Sequence, residues 1–224
     1  MRCRVCQSED LAQLWEMGGC WFRCICCGSD SSDNTWESVA AEYASAAYQQ
    51  HIVTQLGSIE AAEGALRSNV EWFHDHRDKC VGRDFLDVGH NDGASLTAMQ
   101  ADGWSVHGFD INPAANLGPH TTIAPRFSAL LFARRYDAVL CREVIEHIPG
   151  WRAMLLECVR ATADRGLFQV QTPRPTRTPN PIGYQRYHLQ LFSPLALRSE
   201  LERAGFQIVD VRLWEAGQAW LCRP

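Results

Sequence analysis

The stretch FLDVGHNDGASL, Phe85 to Leu96, decides the fold. An apolar run broken only by Asp87 predicts a buried strand, Gly89-His90-Asn91-Asp92-Gly93 predicts a tight turn, and Ala94 onward predicts a helix. A strand, turn and helix in this order form a usual cradle for a nucleotide, because the helix N-terminus attracts anionic groups. A dinucleotide pyrophosphate, however, wants small residues against the backbone and no carboxylate beside it. Asp87 counts against such a ligand, and the Gly-x-Gly-x-x-Gly fingerprint is missing, since only Gly89 and Gly93 remain. A ligand carrying both a positive centre and a carboxylate fits better, with Asp87 facing its cationic amino-acid portion.

Outward from this turn the pattern is regular. The strand SVHGFD (105–110), the strand YDAVLC (136–141), the helix GWRAMLLECVRATA (150–163) and the strand GLFQVQ (166–171) follow in turn. The helix SPLALRSELERAG (193–205) and the strands FQIVDVRLW (206–214) and AWLC (219–222) complete the series. This βαβ alternation predicts a mostly parallel sheet with helices on both faces. In such a sheet ligands lie beyond the carboxyl ends of the strands, so the loops after Val88, Phe109, Leu140 and Gln171 are the places for chemistry. At the end of the second strand stands Asp110, where a carboxylate can accept both hydroxyls of a ribose. A nucleoside with a charged amino-acid tail satisfies Asp87 and Asp110 together, and S-adenosylmethionine is such a molecule.

Four motifs in order, FLDVGHNDG, GFDINP, YDAVLCREVIEHIPG and YHLQLFSPLALRSELERAGF, resemble the class I S-adenosylmethionine-dependent methyltransferases over roughly residues 83–210. The resemblance implies a Rossmann-like sheet of seven strands whose last strand is antiparallel. It implies a cofactor site at Asp87, Gly89, His90, Asn91, Gly93, Asp110, Ile111, Asn112 and Arg142. Asn91 departs from the family's usual middle glycine and is similar to the Asn-Asp-Gly turn of sugar C-methyltransferases, whose N-terminal cysteine knuckles are similar too. The segment APRFSALLFARRYD lacks the acidic residue that often meets adenine, which leaves 124–127 for that pocket.

Six of ten cysteines fall within the first 27 residues. Cys3-x-x-Cys6 and Cys24-x-x-Cys27 have the spacing of two zinc knuckles closing one tetrahedral, structural site, with Cys20 and Cys26 as competing ligands. The loop signal DSSDN (30–34) ends this module. Residues 1–34 are therefore read as a zinc-binding module, 35–82 as a helical bridge broken near Gly57 and Gly64, and 83–224 as the methyltransferase domain. A chain of 224 residues with 46% apolar and 21% charged residues suits one sizeable core with a small appendage. No apolar run spans a bilayer and no signal sequence opens the chain, so a cytoplasmic, reducing setting without a membrane segment is expected. The net charge of −5 gives no overall field for nucleic acid.

The sequence REVIEHIPGW places Glu143, Glu146 and His147 where a methyl acceptor would sit. If Val144–Ile148 begins a helical turn, these side chains converge on one ligand. With His188 of YHLQLF the set resembles the divalent-ion site of small-RNA 3′-end methyltransferases, so a second divalent ion at Glu143, Glu146, His147 and His188 is one expectation. A base at His147 or His188 for a hydroxyl or carbon acceptor is the other. The irregular segment 172–188 reads as a loop over the substrate, with Tyr184, Tyr187, Arg174, Arg177 and Arg186 offered to an anionic or aromatic acceptor. Tyr43 and Tyr48 are candidates for closing over the cofactor, and His74 and His76 read as solvated. The leading expectation is methyl transfer from S-adenosylmethionine to O or C of a small-molecule acceptor, a sugar or a natural-product intermediate. The alternatives are a metal-assisted RNA ribose 2′-O-methyltransferase and a non-catalytic scaffold that keeps the fold.

Overall fold

The computed structural model describes residues 1–16, 19–45, 47, 48, 50, 72, 73, 75–178 and 183–224. The expected helix breaks near Gly57 and Gly64, and His74, lie outside the described residues. Strand β4 (Asp84–Val88) is the centre of the main sheet, flanked by β5 (Ser105–Asp110) and β6 (Thr121–Ile123) on one side. On the other side come β7 (Tyr136–Arg142) and β8 (Thr162–Pro173), then β11 (Gly217–Arg223) and the edge strand β10 (Gln207–Leu213). The sheet therefore has seven strands in the order β10-β11-β8-β7-β4-β5-β6. Strands β4 to β8 pair in parallel, and β11 alone runs antiparallel to both its neighbours. This is the Rossmann-like arrangement that the motifs imply.

Strand alternation sorts the core into two layers, because successive side chains leave opposite faces. Phe85, Ala138, Leu140 and Leu167 face one way, against Leu96 and Met99 of α2 (Ala94–Ala101), Trp104, Trp72 and Phe73. Leu86, Val88, Val139, Cys141, Phe168 and Val170 face the other way, against α3 (Trp151–Ala161) and α4 (Pro194–Ala204). Both faces are covered, which is why β4 and β7 read as nearly continuous apolar runs. The edge strand β10 is mostly half-buried or exposed.

The front of the chain makes a second sheet. Strands β1 (Leu11–Glu16), β2 (Cys20–Cys24) and β3 (Asp30–Ser32) form an antiparallel series, and the fourth strand is β9 (Gln190–Leu191) from the far end of the chain. Cys3, Val5 and Cys24 pack into the same layer as Phe192, Ala196 and Leu197. The N-cap Ser193 of α4 also accepts nothing from the knuckle but gives to it: its hydroxyl donates to the Cys27 carbonyl at 2.6 Å, and its backbone N–H donates to the Ser29 hydroxyl at 3.0 Å. The segment 1–34 thus shares a core with the half of the chain that carries the main sheet. Behind it, α1 (Trp36–Tyr43) opens the bridge with a capping box between Thr35 and Ser38. Among the described residues no helix is long and apolar enough to cross a membrane.

Candidate active site

The turn after β4 holds three left-handed residues, Gly89 (φ 82°), Asn91 (φ 50°) and Gly93 (φ 73°). At Gly89 a Cβ would also lie 2.4 Å from Val144 Cγ2, so no side chain fits there. Asn91 stands where the resemblance leads to an expectation of glycine, and asparagine is among the few other residues that accept this backbone. The turn is tied to the next strand: Asn91 N–H donates to Asp110 Oδ2 at 3.0 Å, and Asn112 N–H donates to Asp110 Oδ1 at 2.8 Å. Asp92 Oδ1 accepts the Ala94 N–H at 3.0 Å and so occupies the start of α2.

Beyond the carboxyl ends of β4, β5, β7 and β8 opens a cavity of about 970 Å³. Asp87, Gly89, His90, Asn91, Asp110, Ile111, Asn112 and Arg142 line it, as do Glu143, His147 and His188. Gly93 lies behind this wall as the N-cap of α2, and Glu146, fully buried, lies behind the other. Tyr43 and Tyr48 line the cavity too, their rings edge to face at 4.7 Å, and Tyr43 reaches His147 at 5.6 Å. Of the stretch expected near adenine, Pro125, Arg126 and Phe127 line it.

Asp87 is almost fully buried, and burial pushes its carboxyl up to about 7 against the lowering effects of Arg142 and a Ser95 hydrogen bond, with Asp110 and Asp92 raising it further. A cation arriving in the cavity favours the ionised form, so its binding expels a proton below that pH. The sign follows directly. The dissociation constant of S-adenosylmethionine is expected to be flat above about pH 7 and to rise toward tenfold per unit as pH falls below it. Titration calorimetry between pH 5.5 and 8.5 checks this, and a flat profile would remove Asp87 from the cationic end.

On the opposite wall the expected turn is a single one, closed by the His147 N–H on the Val144 carbonyl at 3.0 Å and the Ile148 N–H on the Ile145 carbonyl at 3.4 Å, and it does not run on into a helix. Residues 145–147 form an isolated turn, and Glu143 at the end of β7 takes a left-handed backbone (φ 53°). Glu143 and Glu146 come together closely enough that the Glu143 charge adds to burial in raising Glu146, and Gln171 Nε2 donates to Glu143 Oε1 at 3.2 Å. Glu146 Oε2 accepts the Thr172 hydroxyl at 2.9 Å, while Oε1 has no hydrogen-bond partner and lies 3.6 Å from His147 Nε2. His147 Nδ1 meets the Tyr187 carbonyl at 2.8 Å, and His188 Nδ1 meets the Gly183 carbonyl at 2.6 Å. A carbonyl only accepts, so both imidazoles carry the proton on Nδ1 and leave Nε2 as a free lone pair. Burial lowers His147 to about 4 and His188 to about 3, and burial, with Glu143 next to it, raises Glu146. Glu146, His147 and His188 each bring one ligand atom within 4.8 Å of the others, and Glu143, expected among the ligands, is not part of that group.

At the front, Cys3, Cys6, Cys24 and Cys27 gather their sulfurs within 4.8 Å, with Sγ–Sγ distances of 3.7 Å (Cys3–Cys27) and 3.4 Å (Cys6–Cys24). Tetrahedral bonds of about 2.3 Å to zinc require sulfurs about 3.8 Å apart, so the donor set fits that ion. Cys20 and Cys26 stand outside the group, and Cys26 instead faces Ser8 and Asp10.

Several loop residues lie elsewhere than expected. Tyr184 is buried in the front sheet against Trp15 and Trp21, away from any acceptor. Arg174 donates to the Trp214 carbonyl and Arg186 pairs with Glu42, whereas Tyr187 does line the cavity. His76 is not solvated: its Nδ1 meets the Trp72 carbonyl at 2.9 Å and its Nε2 lies 3.6 Å from Asp210. Sequence reasoning missed Thr172, Gln171 and Gln190, whose Nε2 donates to the Ile145 carbonyl at 2.7 Å beneath the 145–147 turn. Only Gln171 carried a signal, its place at a strand end.

Residues 44–211 match the family model described as a methyltransferase domain. The chain belongs to this family, the class I S-adenosylmethionine-dependent methyltransferases. Among curated proteins it is similar to a ubiquinone biosynthesis O-methyltransferase of Erwinia tasmaniensis, 26% identical over 43% of this chain and 45% of that protein, so the match spans less than half of the relative. Among solved structures it is similar to magnesium protoporphyrin IX methyltransferase of Synechocystis PCC 6803 with bound S-adenosylhomocysteine. That likeness has a TM-score of 0.61 at 16% identity and covers 84% of this chain and 100% of the other. A 1,6-didemethyltoxoflavin-N1-methyltransferase of Burkholderia thailandensis gives 0.58 at 18% identity, over 82% and 89%.

Proposed function

We propose that the chain transfers a methyl group from S-adenosylmethionine to a small-molecule acceptor at O or C. The observation that carries this reading is the pair of buried carboxylates, Asp87 and Asp110, on either side of the Gly89–Gly93 turn in one cavity with His147 and His188. When bound, the cofactor supplies an electrophilic methyl on a cationic sulfur. Asp87 faces the positive amino-acid portion and Asp110 the ribose hydroxyls, while Tyr43, Tyr48 and Tyr187 narrow the cavity and exclude water. The acceptor's proton goes to Nε2 of His147, whose imidazole is neutral at pH 7. The relatives' small-molecule substrates support an acceptor of that size, and a sugar or natural-product intermediate fits the polar wall of Glu143, Gln171 and the two histidines.

The test is methyl transfer from labelled S-adenosylmethionine to a panel of sugar nucleotides and phenols. His147→Ala is expected to lower kcat by about 10²- to 10⁴-fold with cofactor affinity unchanged. Absence of any S-adenosylmethionine binding would restore the scaffold reading. A second reading has its own support: the unpartnered Oε1 of Glu146 and two imidazoles oriented by carbonyls form a donor set suited to a divalent ion. Such an ion would grip an acceptor with neighbouring hydroxyls, whether a catechol, a sugar diol or a terminal ribose. Elemental analysis separates the two readings, with one metal per chain expected for the front cysteines alone and two if the cavity holds another.

A further inference from the structure

A buried ion pair in the front sheet reaches across to the segment that carries His188. Asp30, at the start of β3, is fully buried; Arg23 donates to it through Nε at 2.8 Å and Nη2 at 2.9 Å, and the Tyr184 hydroxyl donates at 2.7 Å. The Tyr184 ring stands edge-on between Trp15 and Trp21, with centroids 4.9 and 5.0 Å away. Arg23 also donates to the Thr176 carbonyl at 2.8 Å, and the Tyr184 hydroxyl accepts the Thr176 N–H at 3.1 Å. One carboxylate therefore pins the segment at Thr176 and again at Tyr184. Apolar packing would fill such a site with no less stability, so what the ion pair adds is direction.

The direction it fixes is that of the imidazoles. Gly183, next to Tyr184, supplies the carbonyl for His188 Nδ1, and Tyr187, three residues further on, supplies the one for His147 Nδ1. From the other side, Ser32 Oγ at 2.8 Å and Asn34 Nδ2 at 3.3 Å donate to the carbonyl of His188 itself. We propose that Asp30, with Arg23 and Tyr184, is a positioning device that sets the tautomer of His147 and His188 from outside the cavity. None of the three touches cofactor or acceptor. The inference rests on the proposed function only in taking these imidazoles as the acceptor-facing groups.

Imidazole ¹⁵N spectra of the full, metal-replete chain test it. The wild type is expected to show both rings protonated at Nδ1. Tyr184→Phe removes one hydroxyl and keeps the ring, and Asp30→Asn keeps the shape and removes the charge. In each, the Nε2-protonated form is expected to rise by about two- to tenfold, the equivalent of one hydrogen bond, with S-adenosylmethionine affinity unchanged by calorimetry. Unaltered tautomers in both variants would overturn the proposal. So would parallel losses of cofactor affinity and of thermal stability in Tyr184→Phe, since the pair would then only hold up the fold. A wild type that fails to bind S-adenosylmethionine counts against the proposed function alone, because the tautomers are read without cofactor.

Discussion

Cys24→Ser is expected to lower the melting temperature by more than 10 °C, on the order of 2–4 °C for each kcal/mol lost from a protein of this size. Cys24 is buried, its thiol is raised by that burial, and the Cys27 thiol holds Cys3 far below the thiol range, at about 4. Sulfurs crowded to 3.4 and 3.7 Å suit thiolates only when a cation lies between them. The same loss is expected when a strong chelator strips the wild type. Cys20→Ser and Cys26→Ser are the controls, since both sulfurs lie outside the cluster, and they should keep one zinc per chain. Equal metal content and stability in Cys24→Ser would show that the cysteines are merely packed together.

Asp110→Ala is expected to weaken S-adenosylmethionine binding by about 2–3 kcal/mol, roughly 30- to 150-fold, the value of charge-assisted hydrogen bonds to a ribose. The chain should stay folded, because the carboxylate lies at a cavity wall and the N–H groups of Asn91 and Asn112 that it accepts can turn to water. Calorimetry with a melting curve reads both effects. Unchanged affinity would mean that the ribose lies elsewhere.

Most of the main sheet was legible in the sequence. Strand 105–110 falls where SVHGFD predicts it, because apolar alternation, Gly103 and the Asp110 end bound it on both sides. The cavity wall was legible because its residues lie at the ends of β4, β5 and β7. The second sheet was not. Strands β3 and β9 have three and two residues, too short for any periodicity, and their pairing joins distant parts of the chain. For the same reason DSSDN read as a loop, although Asp30–Ser32 is a buried strand. Tyr184 looked like a substrate contact because composition marks a loop but not the direction of each side chain. The turn at Val144–Ile148 stays a single one, and before it the left-handed backbone of Glu143 redirects the chain without a glycine to announce it.

The pairing of β3 with β9 bears on how the protein is made. Ser32 and His188, hydrogen-bonded in the finished fold, are 156 residues apart in the chain. The cysteines are made before the segment that supplies β9, so the sheet that braces them lacks its fourth strand until Gln190–Leu191 has been synthesised. A metal bound by the knuckles would therefore be captured on an unfinished support, or only after β9 has joined the sheet. Until β9 pairs, the cysteine segment should be the part most open to proteolysis and thiol oxidation.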